Sequence, residues 1–321
     1  RGLGDVYKRQ VKKMKNSAIV RIVIWSAVIV FLIAAAVIVM VNGGWGFSTG
    51  AGIGSVYKYS DSSSYSIGDF SANADEISSI DIEWISGSVN ISEYDGDGIT
   101  VSEDGFDDED TKLRYRIKNG KLSIRFVKSG WRNGIIFGVG KLSLEKDLTI
   151  LVPKGKQFRE LDMELVSSSV EVNGISADDF DIDTVSGAVN IENLTTNDID
   201  IEGVSGAITL KDVSARTADI ENVSGAIDFS GTVREIDFNT VSGGITAEFS
   251  EVPEIVSIDS VSGSTDIWMP KTGISAEIDS VSGNVWAFGD KLGKSGEYTV
   301  GDGYMKLNVD TVSGGVEIEE R

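Results

Sequence analysis

The stretch that decides the fold is Asp179-Phe180-Asp181-Ile182-Asp183-Thr184-Val185-Ser186-Gly187-Ala188-Val189-Asn190-Ile191. It returns nineteen residues later as Asp198-Ile199-Asp200-Ile201-Glu202-Gly203-Val204-Ser205-Gly206-Ala207-Ile208-Thr209-Leu210. The same phrase recurs at Val223-Ser224-Gly225, Val241-Ser242-Gly243, Val261-Ser262-Gly263, Val281-Ser282-Gly283 and Val312-Ser313-Gly314, with variants at Ile85-Ser86-Gly87 and Val166-Ser167-Ser168. From Val166 to Val281 the spacings are 19, 19, 19, 18, 20 and 20 residues. A fixed period in this range marks a solenoid, in which one turn cannot bury its own apolar face and must stack on its neighbours.

Aligned on the valine, each column is one line of side chains up the stack. Five and three places before it stand Phe180 and Ile182, Ile199 and Ile201, Ala218 and Ile220, Ile236 and Phe238. These point inward. Four and two places before it stand Asp181 and Asp183, Asp200 and Glu202, Asp219 and Glu221, which point outward. Apolar residues resume four and six places after the valine, as in Val189 and Ile191. Each turn therefore holds two short alternating strands with a change of phase between them. A third apolar point (Ile175, Leu194, Val213, Val233, Val252) closes the turn.

A chain that reverses the parity facing the core must bend, and glycine supplies the backbone angles for the bend. The turn pairs Ser186-Gly187, Ser205-Gly206, Ser224-Gly225, Ser242-Gly243, Ser262-Gly263, Ser282-Gly283 and Ser313-Gly314 are thus structural. Their serines are expected to satisfy backbone groups or bond along the column, because a repeated serine is not a nucleophile. Successive turns of one continuous chain pair in parallel, and parallel crossovers are right-handed in nearly all cases, narrow solenoids of the other hand being the exception. The reading is all-β: a single-stack parallel β-solenoid, right-handed, with about nineteen residues per turn.

The rest of the chain is read around this array. Among 321 residues there is no cysteine and no histidine, which removes disulfides, thiolate chemistry, Cys/His zinc sites and His-based triads. Residues 1–10 resemble nothing that follows and read as non-native, with Met14 as the expected start. Ile22 to Val41 is an apolar run of twenty residues, long enough to span a bilayer, and longer than a signal-peptide core. The sequence thus places a cytoplasmic basic segment at 1–21, a transmembrane helix at 22–42, a Gly/Ser-rich linker at 43–76 and the solenoid at 77–321. Lys12, Lys13, Lys15 and Arg21 precede the apolar run, so the N-terminus faces the cytoplasm and the solenoid is extracellular. The net charge is −21, and residues 1–21 carry +6, so the remainder carries −27. Such a surface argues against nucleic acid as a partner.

Between Ile85 and Val166 lies an insertion at about 95–160. It contains the hairpin signal Asn119-Gly120, flanked by Leu113–Ile117 and Leu122–Val127, and the strand Leu148–Val152 ending at Pro153-Lys154-Gly155. The acidic run from Glu103 to Asp110 lacks the ligand spacing of a calcium loop and reads as a solvated turn. A second insertion carries the turn Gly301-Asp302-Gly303.

Three features, in order, resemble the bacterial putative-adhesin domain family, a domain of unknown function (4097). They are the run Leu148-Thr149-Ile150-Leu151-Val152-Pro153-Lys154-Gly155, the train of Val-Ser-Gly turns, and the ending from Tyr298-Thr299-Val300-Gly301 through Thr311-Val312-Ser313-Gly314-Gly315-Val316. The resemblance covers roughly 77–321 and implies an envelope β-solenoid without known catalytic residues or cofactor.

The expected function is therefore that of a membrane-anchored envelope protein serving adhesive, structural or sensing interactions, and not of an enzyme. Its partners would be the lipid bilayer through 22–42, and an envelope polysaccharide or surface protein; the sequence does not fix the oligomeric state. The alternative is a polysaccharide-binding or polysaccharide-cleaving β-helix, whose active site would be a local exception to the repeat. Trp131, Trp268 and Trp286 are candidates for a binding surface or for capping. The residues before the valines (Thr184, Gly203, Asn222, Thr240, Ser260, Ser280) form no regular threonine ladder, against an ice-binding array. One metal reading stays open. The columns Asp181, Asp200, Asp219 and Asp183, Glu202, Glu221 form either a solvated face or a ladder for calcium.

Overall fold

The inward and outward columns lie where the alternation puts them. In the computed structural model, which describes residues 57–131 and 144–321, Ile182, Ile201, Ile220 and Phe238 are consecutive partners across parallel strands. None is more than 1% exposed. Asp181, Asp200, Asp219 and Asp237 form the adjacent column in the same register and face outward. The 22 strands of the described residues form one continuous sheet coiled on itself: segments before each Val-Ser-Gly stack into one wall, the first sheet, and segments after it into another, the second sheet, each turning its apolar residues inward.

The chain enters the fold earlier than the linker reading allowed. Tyr57 is buried, 3-10 turns cover Ser62–Ser64 and Ala74–Glu76, and the short strands β1 (Ser66–Ile67) and β2 (Phe70–Asn73) precede the first long strand, β3 (Ser79–Tyr94). Residues 57–76 are therefore structure, not spacer. The segments read as 1–21, as the span 22–42 and as the beginning of the linker (43–56) lie outside the described residues. Among the described residues, no helix is long and apolar enough to cross a membrane.

The apparent insertion is the capped first end of the stack. β4 (Gly98–Asp104), β5 (Arg114–Lys118), β6 (Lys121–Arg125) and β7 (Lys146–Pro153) follow β3. β6 and β7 lie parallel to the two halves of β3 and add a rung on its outer side. β5 and β4 run antiparallel to them, and β1 and β2 lie antiparallel outside those. The β5–β6 hairpin turns at Asn119 (φ 53°) and Gly120 (φ 80°), the left-handed pair that an Asn-Gly turn requires. On its inner side β3 receives β8 (Gln157–Asn173) along both halves.

The regular array then runs through β9 (Ser176–Ser186), β10 (Val189–Glu192), β11 (Asp198–Ser205), β12 (Ile208–Ser224), β13 (Ile227–Ser242), β14 (Ile245–Phe249), β15 (Ile255–Ser262) and β16 (Thr265–Met269), all paired in parallel. Ile175, Leu194, Val213 and Val233 are buried and close the turns as expected.

At the far end the stacking order departs from the sequence order. The chain continues as β17 (Ile274–Ser280), β18 (Val285–Ala287), β19 (Asp290–Gly293), β20 (Ser295–Val300), β21 (Met305–Ser313) and β22 (Val316–Glu320). β15 and β16 pair with β21 and β22, which in turn pair with β17 and β18. The last strands of the chain thus occupy the penultimate rung. β20 and β19 cap the outermost rung in antiparallel fashion, and the Gly301-Asp302 turn returns the chain from β20 towards β21. Val281-Ser282-Gly283 stacks on Val312-Ser313-Gly314 and not on Val261-Ser262-Gly263.

The corners show why glycine recurs and correct the role expected of serine. Gly206 has φ +131°, and a Cβ there would enter the envelope of the Gly187 carbonyl one rung away. Rungs approach too closely at Gly206 for a side chain, whereas on β8 the corresponding corner is taken by Ser168, whose side chain is buried. The turn serines are exposed, and it is their carbonyls that act: Ser205, Ser224, Ser242 and Ser262 each accept a bond of 3.2 Å from the glycine N–H of the preceding rung. The residue before each valine, by contrast, faces inward: Thr184, Asn222, Thr240 and Thr311 are buried.

One buried charge ties the cap to the stack. The ammonium of Lys146 is enclosed, donates to Glu103 Oε2 (2.6 Å), to the Thr111 carbonyl (2.8 Å) and to the Phe126 carbonyl, and lies over the rings of Trp84 and Phe126. Burial lowers its pKa to about 8, with Glu103 pulling the other way. Glu103 is therefore not part of a solvated turn, although Asp104 and Asp107–Asp110 are exposed.

Candidate functional site

The outward face of the first sheet is built by the same alternation that fills the core. Strand spacing of about 4.8 Å sets the interval between successive side chains in a column. One column reads Asp81, Asp162, Asp181, Asp200, Asp219, Asp237, six carboxylates on six consecutive rungs. Two residues along, a second reads Glu83, Glu164, Asp183, Glu202, Glu221, and after Asn239 resumes as Asp259, Asp310 and Asp279. The six residues read as two outward columns stand in register, and the columns extend beyond them in both directions.

The first end is neutralised and the middle is not. Arg125 of β6 reaches Asp81 at 2.8 Å and Glu83 at 3.0 Å, and Lys121 lies 3.6 Å from Asp81. Burial raises the pKa of Asp81, but the bonds and charge of Arg125 and the charge of Lys121 more than reverse this and hold it low. From β8 to β17 no basic residue stands in either column. There, burial raises Glu164 and Glu202 to about 7, and Asp181, Asp183 and Asp259 to about 6, with neighbouring carboxylates adding to the effect. Asp162, Asp200, Asp219 and Glu221 are raised for the same first reason. The face therefore takes up protons near neutrality.

Towards β17 the face deepens into a trough of about 890 Å³, walled by Gly296 and Glu297 of β20 and lined by Asp237, Asp259, Glu277, Asp279 and Asp310. Among the described residues, no group of three or more acidic side chains is placed to hold a metal ion. The in-register ladder offers a cation adjacent pairs rather than a converging set, so the register that a calcium ladder needs is present and a cage is not. The arrangement can hold protons, repel anions and attract a cationic surface.

Sequence reasoning found the columns but not the clamp. Arg125 alternates with the buried Leu122 and Ile124. That pattern would have set it outward on the same face had β6 been recognised as a rung. The tryptophans separate: Trp131 packs against the core, whereas Trp268 and Trp286 lie on the outer surface of the second sheet.

Comparison with known proteins gives a family and a set of distant likenesses. Residues 77–319 match the family described as Toastrack DUF4097. No curated protein matches the chain. Among solved structures, a putative adhesin from Bacteroides fragilis shares 14% identity, with 78% of this chain and 97% of that one covered at a TM-score of 0.44. A putative adhesin from Parabacteroides distasonis shares 13%, covering 79% and 97% at 0.42. A putative cell adhesion protein from Clostridium sporogenes shares 12%, covering 80% and 100% at 0.27.

Proposed function

This chain belongs to the Toastrack DUF4097 family, and from that premise we propose that it is a non-enzymatic adhesion module of the cell envelope. In this reading residues 22–42 anchor the chain in the membrane, 1–21 stay in the cytoplasm, and the solenoid faces outward. The observation that carries the reading is the unbroken register of the outward columns, which turns a small repeat into two long ordered faces. Extended surfaces of this kind suit many weak contacts in parallel, as adhesion requires. A polysaccharide-cleaving site would need an acid and a base set apart from the repeat. The carboxylates of the first sheet instead recur rung after rung.

Cells producing the full chain should retain it in the membrane fraction after alkaline carbonate washing. Protease added to intact cells, or to protoplasts where a wall intervenes, should digest residues beyond 57. Cell-to-surface attachment should fall when codons 57–321 are deleted. Protection of the solenoid until lysis would reverse the topology, and unchanged attachment would remove the adhesive role.

A further inference from the structure

The second sheet has an outward face of a different chemistry. One of its columns reads Asn90, Glu171, Asn190, Thr209, Asp228, Thr246, Asp266, Glu317 and Trp286 in consecutive register. Carboxylates here are interleaved with amides, hydroxyls and an indole, and do not form the long uniform runs of the first sheet. Around Asn190 and Thr209 the face is a groove of about 550 Å³ that also takes in Glu171 and Lys211. At the other end two indoles are presented. The Nε1 of Trp268 donates to Glu319 on the adjacent rung at 2.9 Å, and the side chain is half-buried. Trp286 is 38% exposed, pairs in register with Glu317 on the other side of that same strand, and carries the Lys291 ammonium over its ring at 5.5 Å, a cation that a stacked sugar would have to displace or share. Two strand spacings and two residues of rise separate the indoles, a backbone distance of about 12 Å.

We propose that this second face binds a linear, uncharged polysaccharide laid along the stack, with Trp268 and Trp286 as stacking platforms and Asn190, Thr209 and Glu171 as hydrogen-bonding groups. The occupant follows from what the face offers and refuses. Indole rings take the apolar faces of sugar rings, while amides and carboxylates bridge neighbouring hydroxyls. The strand spacing is close to the rise of one sugar residue in an extended chain, so successive rungs meet successive sugars. An anionic polymer is repelled by the net charge of −27 carried beyond residue 21. A protein partner would need a larger apolar patch, and the exposed large apolar residues among those described, Ile67, Val281, Trp286 and Tyr304, lie on four separate segments. The proposal rests on the reading of the chain as an outward-facing adhesion module and names the partner class.

The test uses the full chain in phosphatidylcholine nanodiscs, incubated with immobilised glucan, mannan and galactan, and with polygalacturonate and chitosan as charged comparisons. At least one neutral polymer should retain the protein and shift its tryptophan emission. Trp268→Ala and Trp286→Ala should each weaken retention about tenfold, and Asn190→Ala several-fold, with thermal melting unchanged. Glu202→Gln on the opposite face should have no effect on retention. Retention by no neutral polymer, equal retention by the double tryptophan variant, or retention by chitosan alone would each overturn the proposal. Cells carrying Trp268→Ala/Trp286→Ala that attach as well as the parent would sink it while leaving the adhesion reading intact. Loss of membrane retention or of attachment in the parent would instead sink that reading.

Discussion

If the acidic columns are in register, removing one charge from the middle of the ladder should stabilise the fold, and the gain should vanish in acid. Glu202 is the site for this test, because Asp183 and Glu221 flank it in its own column and neither has a cationic partner there. Carboxylates one strand spacing apart repel by about 0.9 kcal/mol in water and by about 3 at an intermediate dielectric. The side chains are half-buried, can splay, and are screened by salt, so the lower figure governs. Glu202→Gln relieves two such contacts, and the expected gain is about 1 to 2 kcal/mol at pH 8 and low salt. For a fold of this size that raises the melting temperature by about 2 to 8 °C.

The pH dependence fixes the sign. Burial, then the neighbouring carboxylates, place Glu202 and Glu164 at about 7 and Asp181, Asp183 and Asp259 at about 6 in the folded chain. In the unfolded chain such groups titrate near 4. A carboxyl whose folded pKa is raised binds its proton more tightly when folded. Its contribution is complete below about pH 4 and is lost as the pH rises through 6 to 7. The wild-type chain should therefore become more stable from pH 8 down to pH 5, and Glu202→Gln should converge on it. Urea unfolding followed by tryptophan fluorescence, at pH 8 and pH 5 in 20 mM and 500 mM sodium chloride, measures both effects. A neutral or destabilising Glu202→Gln at pH 8, or a gain equally large at pH 5, would refute the ladder as a source of repulsion.

Calcium at matched ionic strength should raise the melting temperature no more than sodium chloride does, because no three acidic groups among the described residues converge; a larger calcium shift in differential scanning fluorimetry would show that carboxylates of adjacent rungs close on the ion. Gly206→Ala should cost about 3 kcal/mol or more, since its positive φ and the Gly187 carbonyl both oppose a Cβ. Gly155→Ala, also at positive φ but with open space around it, should cost less, and equal melting temperatures for the two would contradict the close approach at the corner. Lys146→Met should lose about 3 to 5 kcal/mol by leaving the buried Glu103 carboxylate with the Leu113 N–H but without its cation, and adding Glu103→Leu should recover part of it in chemical denaturation. Truncation after Gly303 should expose β15 to β18 to protease together, because β21 and β22 stand between those pairs; protection of 255–287 in the truncated chain would contradict the rung order.

How far the sequence spoke depends on how local the information was. The alternation of Phe180, Asp181, Ile182 and Asp183 identifies a strand and its faces within four residues, and a constant period carries the same assignment to every later copy. The positions before the valines were harder, since Thr184 and Asn222 are polar and yet face inward. At the ends locality fails altogether. Val281 follows Val261 by the usual twenty residues, so its position on the stack can be told only from its partner, Val312's rung, which comes later in the chain. Likewise β1 and β2 are two and four residues long, too short for a period to show, and the serines beside them suggested a linker. Arg125 and Lys146 escaped notice for the same reason: each acts on a carboxylate more than forty residues away.

Both ends solve one problem in one way. A parallel stack leaves an open strand edge at each end, where another chain can pair, and a repeat that simply stops has no means of closing it. Here the chain lays down an outer strand group, turns it antiparallel, and then fills the space beneath with a later pair: β6 and β7 below β5 and β4 at one end, β21 and β22 below β17 and β18 at the other. The filling strands pair on both sides, so the rung next to each end cannot peel away without breaking two ladders. Antiparallel strands of two to seven residues then form the outermost layers, β1, β2, β4 and β5 at one end and β19 and β20 at the other, and edges that short are poor templates for further pairing. With its ends blunted in this way, the stack presents its two broad faces as the surfaces left for contact. Their chemistries differ, long runs of carboxylates on one and amides, hydroxyls and indoles among the carboxylates on the other, because every second residue of the same short repeat is free of the core and can vary.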